Sequence, residues 1–262
     1  FVTLCSSHRQ FSNLCSSKFH SERIFHERFE RYYAKYLNYK PATMKWRDFY
    51  IRIANLDYYL SNNLLPEFDH TGIDEIFFRD SILAELPDEF KKLINVYAYN
   101  GKVFEVNLLY SMFNELPHEE TLLLSAEKGN LEMVRWLMEH NITSDFTFVH
   151  AAEEGHINVM EYLVELDPIQ LYDDAVESAA ERENLQGLEW LYAYNQSLPS
   201  SENYANAIGD ANFPIIEFGL RTGSLTEVRY TILNSFYIQR TLAEINKLYE
   251  LLFSNGVKII EG

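Results

Sequence analysis

Cysteine is nearly absent. Only Cys5 and Cys15 occur in 262 residues, too few for a disulfide framework, so the chain is expected in a reducing compartment: cytoplasm or nucleus. Long apolar runs are missing too: none approaches the roughly 18 residues that a membrane span needs. The opening "FVTLCSSHRQ" has no initiator Met and no basic-then-apolar leader, so it reads as a chain whose start is missing. Basic residues are scarce, 22 Lys and Arg against 39 Asp and Glu, for a net charge of -17. The deficit is uneven. Residues 1–50 carry nine basic and four acidic side chains, and residues 51–262 carry 13 and 35. A surface at -22 repels phosphate backbones, which argues against nucleic acid as a partner of the long C-terminal part. The basic surplus before residue 50 is scattered at amphipathic spacing, as on a solvated face.

Recognisable chemistry is equally sparse. There is no glycine-rich phosphate loop and no nucleophile elbow. "HEET" at 118–121 has no second histidine at the spacing of a metalloprotease helix. Cys5, Cys15, His20 and His26 are metal-compatible types. They lack the close cysteine pair that holds two thiolates on one turn, so no metal or other cofactor is expected. His150 and His156 flank a turn and read as structural. No catalytic residue is assigned, and the chain is expected not to be an enzyme.

What the sequence does have is a repeat. "LLSAEKGNLEMVRWLMEHN" at 123–141 aligns without a gap on "VHAAEEGHINVMEYLVELD" at 149–167. Anchored on Gly129, equivalent positions are Gly101, Gly155, Glu183, Ala211 and, more loosely, Arg240, at intervals of 26 to 29 residues. Three residues before each anchor stand Ala98, Ala126, Ala152, Ala180, Ile208 and Tyr237; seven before stand Ile94, Leu122, Phe148, Val176, Tyr204 and Leu233. Five after come Val106, Val134, Met160, Leu188, Ile216 and Ile245. Eight after come Leu109, Leu137, Leu163, Leu191, the exception Gly219, and Leu248.

Positions four apart share one helix face, so each unit predicts two short helices around a turn. A small residue before the anchor lets a neighbouring helix approach. Glycine at the anchor suits a left-handed turn position. The next residue, Asn130, Asn184, Asn212 or Thr241, can cap the second helix, whereas Lys102 and His156 make weaker caps. Pro214 fits the first turn after Asn212. One such hairpin cannot bury its apolar stripe alone, but a stack of them makes a continuous core. The expected fold class is therefore all-α, a right-handed helical-hairpin solenoid. The aromatic column Trp136, Tyr162, Trp190 and Phe218, beside the core leucines, is expected to pack rather than bind.

"SAEKGNLEMVRWLME" and "HAAEEGHINVMEYLVE" resemble ankyrin repeats, with Ala151, Ala152, Gly155, His156 and Leu163 matching best. The resemblance covers about 93–260. It lacks the usual Thr-Pro-Leu-His opening, and the units are short, as in ankyrin proteins of large DNA viruses infecting amoebae. It implies about six ankyrin-like repeats over 93–262, with Ala126, Gly129, Asn130, Leu137, Ala152, Gly155, His156, Leu163, Ala180, Asn184 and Leu191 as repeat-defining positions. It also implies a partner surface where the first helices end: Glu127, Lys128, Glu153, Glu154, Glu181, Arg182 and Asp210. Such an acidic edge favours a basic protein target.

Residues 1–50 do not follow the repeat. "LCSSHRQFSNLCSSKFHSERIFHERFERYYAKYL" followed by "MKWRDFYIRI" is similar to the later half of an F-box, with Leu4, Cys5, Phe11, Leu14 and Cys15 as implied adaptor contacts. The other reading is a plain N-terminal cap on the solenoid. Residues 51–92 are expected to form a helical connector or a degenerate repeat. "LPEFDHTG" reads as a loop, and "IDEIFFRDSIL" and "DEFKKLI" read as helices. The F-box resemblance implies a substrate receptor joining a repeat-bound target to a cullin-type ubiquitin ligase, in the host cytoplasm if the source is viral. The alternative is a structural or virion-associated ankyrin scaffold with no ligase link.

Overall fold

A computed structural model describes residues 18–67, 83, 86 and 89–261, and these residues are predominantly helical, 70% helix and 3% strand. The all-α expectation holds. Among the described residues no helix is long and apolar enough to cross a membrane. The chain divides into two compact units, Phe1–His118 and Glu119–Gly262.

In the first unit, α1 (Lys18–Tyr32) packs on α2 (Trp46–Asn62), with a short 3-10 helix, Ala34–Tyr39, between them. Aromatics recurring at helical spacing make this core. Phe25 and Phe29 are buried, Phe29 stacks on Phe49 at 4.6 Å, and Trp46 lies edge-on to Phe49 at 6.3 Å. Tyr36 is buried with its hydroxyl donating to Asp57 Oδ1 at 2.8 Å, and Lys35 reaches the same oxygen at 2.7 Å. Partial burial works to raise the Asp57 pKa, but the hydrogen bonds from Lys35 and Tyr36 outweigh it and hold it low. Helix α2 runs through position 50, so the N-terminal segment and the connector share one helix. It ends on Asn63, at φ 51°. The helix read in "DEFKKLI" is α3 (Glu89–Tyr99), and α4 (Val103–Phe113) follows after Gly101. Leu4, Cys5, Phe11, Leu14 and Cys15, most of "IDEIFFRDSIL" and the end of "LPEFDHTG" lie outside the described residues.

The second unit is a series of helix pairs: α5 (Glu120–Glu127) with α6 (Leu131–Glu139), α7 (Thr147–Glu153) with α8 (Ile157–Leu166), and α9 (Tyr172–Glu181) with α10 (Leu185–Asn195). Then come a 3-10 turn (Ser201–Tyr204) and α11 (Ala205–Asp210) with α12 (Phe213–Thr222), and finally α13 (Tyr230–Gln239) with α14 (Leu242–Ser254). First helices pack on first helices, α5 on α7, α7 on α9, α9 on α11 and α11 on α13, more closely than second helices do. Small side chains set that closeness: Ala126, Ala151, Ala152, Ala175, Ala179 and Ala180 are fully buried. A Cβ on Gly187 would sit 2.6 Å from the Ala152 carbonyl oxygen. Two strands of three residues, β1 (Glu227–Arg229) and β2 (Lys258–Ile260), pair in parallel with Val228 opposite Ile259. They lie in the connector before α13 and in the segment after α14, not within a helix pair.

Candidate functional site

The anchors share one backbone geometry. Gly101, Gly129, Gly155, Glu183 and Ala211 all have φ between 58° and 71°. Arg240 departs from them, with an extended backbone at φ -115°. Its guanidinium is used elsewhere, donating from Nη2 to the Gly209 carbonyl at 2.6 Å and to Asp210 Oδ1 at 3.2 Å. The residues at minus seven and plus eight are buried in all six units, including Gly219. At minus three and plus five the last unit loosens, with Tyr237 and Ile245 half-buried.

The capping positions divide by chemistry. Asn130 Oδ1 accepts from the Met133 N–H at 3.3 Å, and Asn184 Oδ1 from the Gly187 N–H at 3.0 Å. Thr241 and Glu244 cap reciprocally, and the Thr241 hydroxyl and N–H hold the Glu244 carboxyl below its ordinary range. Lys102 and His156 make no side-chain cap. Asn212 corrects the sequence reading, because it does not cap α12. Pro214 removes one of the N–H groups a cap would bond, and Asn212 Nδ2 donates instead to Glu183 Oε2 at 2.6 Å.

That bond belongs to a ladder between successive helix pairs. His156 Nε2 bonds the Glu127 carbonyl at 2.7 Å, Asn206 Nδ2 the Glu181 carbonyl at 2.9 Å, and Arg240 the Gly209 carbonyl. Each acceptor lies two residues before an anchor, where a helix end leaves a carbonyl unpaired. Against a carbonyl acceptor, His156 Nε2 is the donor. The glycines make room for these side chains. A Cβ on Gly129 would lie 2.4 Å from His156 Nδ1, and one on Gly155 would lie 2.5 Å from Asn184 Oδ1. Spacing alone did not reveal Asn206 or Arg240 as ladder members, because their acceptors are backbone atoms 25 and 31 residues away.

The proposed edge residues fall on the ends of successive first helices. Glu127 and Lys128 are half-buried, with the Lys128 ammonium itself covered. Glu153 is half-buried, its Oε2 3.3 Å from His150 Nδ1, and Glu154 is exposed. Glu181, Arg182 and Asp210 are exposed. The structure thus places them in register but not in one cluster, and Glu181 and Asp210 also bond the following helix pair. The aromatic column does not stack on itself. Trp136 lies against His140 at 3.9 Å, Tyr162 beneath Arg135 at 4.4 Å, Trp190 on Tyr194 at 4.8 Å, and Phe218 edge-on to Tyr192 at 6.1 Å.

Among the described residues no three His, Cys, Asp or Glu side chains converge to hold a metal. His26 stacks on Trp46 at 4.0 Å. Glu105 is a buried carboxylate, 3.3 Å from the exposed Arg52. Burial pushes the Glu105 carboxyl up, and Arg52 pulls it partly back. A carboxyl raised in the fold costs stability as the pH climbs past its ordinary value, and Arg52, its own backbone N–H and Lys102 offset only part of that cost. The Tyr97 hydroxyl beside this carboxyl is pushed up as well, by burial first and then by the Glu105 charge. Compared with protein-family models, with curated proteins and with solved structures, the chain has no significant match in any of the three.

Proposed function

We propose that the chain is a protein-interaction module of ankyrin type. In this reading the first-helix ends carrying Glu127, Lys128, Glu153, Glu154, Glu181, Arg182 and Asp210 form the edge that meets a basic protein target. The observation that carries it is the repeated left-handed anchor together with the ladder from one helix pair to the next. Such bonding holds side chains in register along a surface whose rigidity costs little entropy on binding. Charge supports a basic target. Residues 119–262 hold eight Lys and Arg against 24 Asp and Glu, a net charge of -16, while residues 1–118 stand at -1.

The N-terminal F-box resemblance extends the proposal to a substrate receptor, in which the first residues bind a cullin-ligase adaptor and the helix pairs choose the target. The test is a pull-down from host lysate with the full chain and with residues 1–17 removed, which spares the packed pair of α1 and α2. Loss of ligase components only on truncation supports the receptor. Ligase components in neither sample defeat the ligase link and leave the scaffold reading.

A further inference from the structure

The connectors 140–146 and 167–171, which bracket the pair α7 and α8, enclose a groove of about 270 Å³. Its lining mixes polar side chains of the connectors with apolar ones, Met138 and Leu163 from the second helices beside the exposed Leu166 and Ile169, and Asp145 and Asp167 are exposed alongside them. The volume falls below the ~300–1,000 Å³ of small-molecule pockets, and suits one or two side chains. Leu166 is 55% exposed and Ile169 84% exposed, an unusual position for an isoleucine.

Ile169 does not stand out because its loop is slack. Its own N–H donates to Asp167 Oδ1 at 2.8 Å. Gln170 Nε2 donates to the Asp167 carbonyl at 2.6 Å, and the Tyr172 hydroxyl to the Pro168 carbonyl at 3.0 Å. On the opposite wall Thr147 Oγ1 donates to the Ser144 carbonyl at 2.8 Å. An apolar side chain held out by a braced loop is prepared to be covered, since little freedom is lost when a partner arrives. Another cavity of this unit, about 180 Å³ beside β1, differs: Glu202 and Arg229 on its lining already pair with each other.

Charge decides the occupant. From residue 136 to residue 181 the chain has eleven Asp and Glu and not one Lys or Arg. Asp145 has no ion-pair partner among the described residues. This field repels nucleic acids, phosphate-bearing ligands and anionic bilayers, and draws cations. We infer that the groove between connectors 140–146 and 167–171 docks a cationic polypeptide segment. One aliphatic side chain enters between Leu163, Leu166 and Ile169, and flanking Lys or Arg side chains meet Asp145 and Asp167. The inference rests on the interaction-module reading but places the contact away from the first-helix ends, so the two separate by experiment.

The probe is a fluorescein-labelled peptide with one leucine between pairs of arginines, titrated by anisotropy against the full chain. Ile169→Ser removes only exposed surface, and Asp145→Lys reverses a charge on an exposed rim. Each is expected to weaken the peptide about tenfold, as loss of one anchor or one paired charge does. Glu181→Lys, on the first-helix edge, is expected to change it less than about threefold. Equal binding of a peptide with serine in place of leucine would reduce the contact to plain electrostatic attraction and overturn the groove. Wild-type affinity in Ile169→Ser overturns it as well. If Glu181→Lys abolishes binding while Ile169→Ser retains it, the groove fails and the edge reading stands. If the peptide does not bind the wild type, the groove fails, and the pull-down alone judges the wider reading.

Discussion

Gly155 and Ala211 occupy the same turn position under different constraints. At Gly155, φ is 71° and the Asn184 side chain fills the space a Cβ would need. Both the backbone and its neighbour exclude a larger residue there. Gly155→Ala should therefore cost about 1–3 kcal/mol, from left-handed strain and displacement of Asn184. At Ala211 a Cβ already carries the left-handed strain, at φ 59°. Ala211→Gly should stabilise the fold by roughly 0.5–1 kcal/mol, less the entropy that glycine adds to the unfolded chain. Urea unfolding of both variants measures the pair, and a destabilised Ala211→Gly would show that the turn geometry is not the strained element. Glu183 shows why a side chain persists at another anchor: its carboxylate receives Asn212 from the next helix pair.

At the scale of the helix, the two ends of each pair depend on different bonds. Asn184 closes the start of α10 by accepting from the Gly187 N–H, so Asn184→Ala should lose about 1 kcal/mol. Asn212 sits at the matching place before α12 but bonds Glu183 instead. Asn212→Ala should then show no fraying of α12, and the loss should appear as weaker coupling between the third and fourth pairs. Amide exchange resolves the two cases. Asn184→Ala should speed exchange in the first turn of α10. Faster exchange in the first turn of α12 for Asn212→Ala would contradict the assignment of that side chain to the ladder. The tight first-helix contacts follow from the same economy of size, because alanine rows let backbones approach where leucine would hold them apart.

For the molecule as a whole, charge is the dominant asymmetry. Residues 119–262 hold a net -16 and residues 1–118 only -1. Self-repulsion destabilises a compact state and is screened by salt. Raising NaCl from about 10 mM to about 300 mM should slow amide exchange across α5 to α14, with little change in α1 to α4. Uniform slowing in both units, or faster exchange in the acidic one, would show that repulsion does not limit stability there. The same excess that weakens the folded state in isolation would be neutralised by a basic partner, so binding and stability should rise together.

Much of this was legible in the sequence, because a helix pair writes its pattern locally. Ala126, Gly129, Leu137 and their equivalents fall at spacings fixed by 3.6 residues per turn, so the turn positions and buried columns could be read before any coordinates. The Asn212 cap and the Arg240 anchor were misread for one reason: each side chain serves a neighbour about 30 residues away, and no short-range rule sees it. The parallel pairing of β1 and β2 and the groove beneath Ile169 were hidden likewise, since each joins segments separated by a whole helix pair. Sequence by itself determined which residues turn, which are buried and where charge gathers. Only the tertiary structure decided which side chains bridge successive pairs and which apolar surface stays open, because hydrogen bonds and exposure depend on what packing brings alongside.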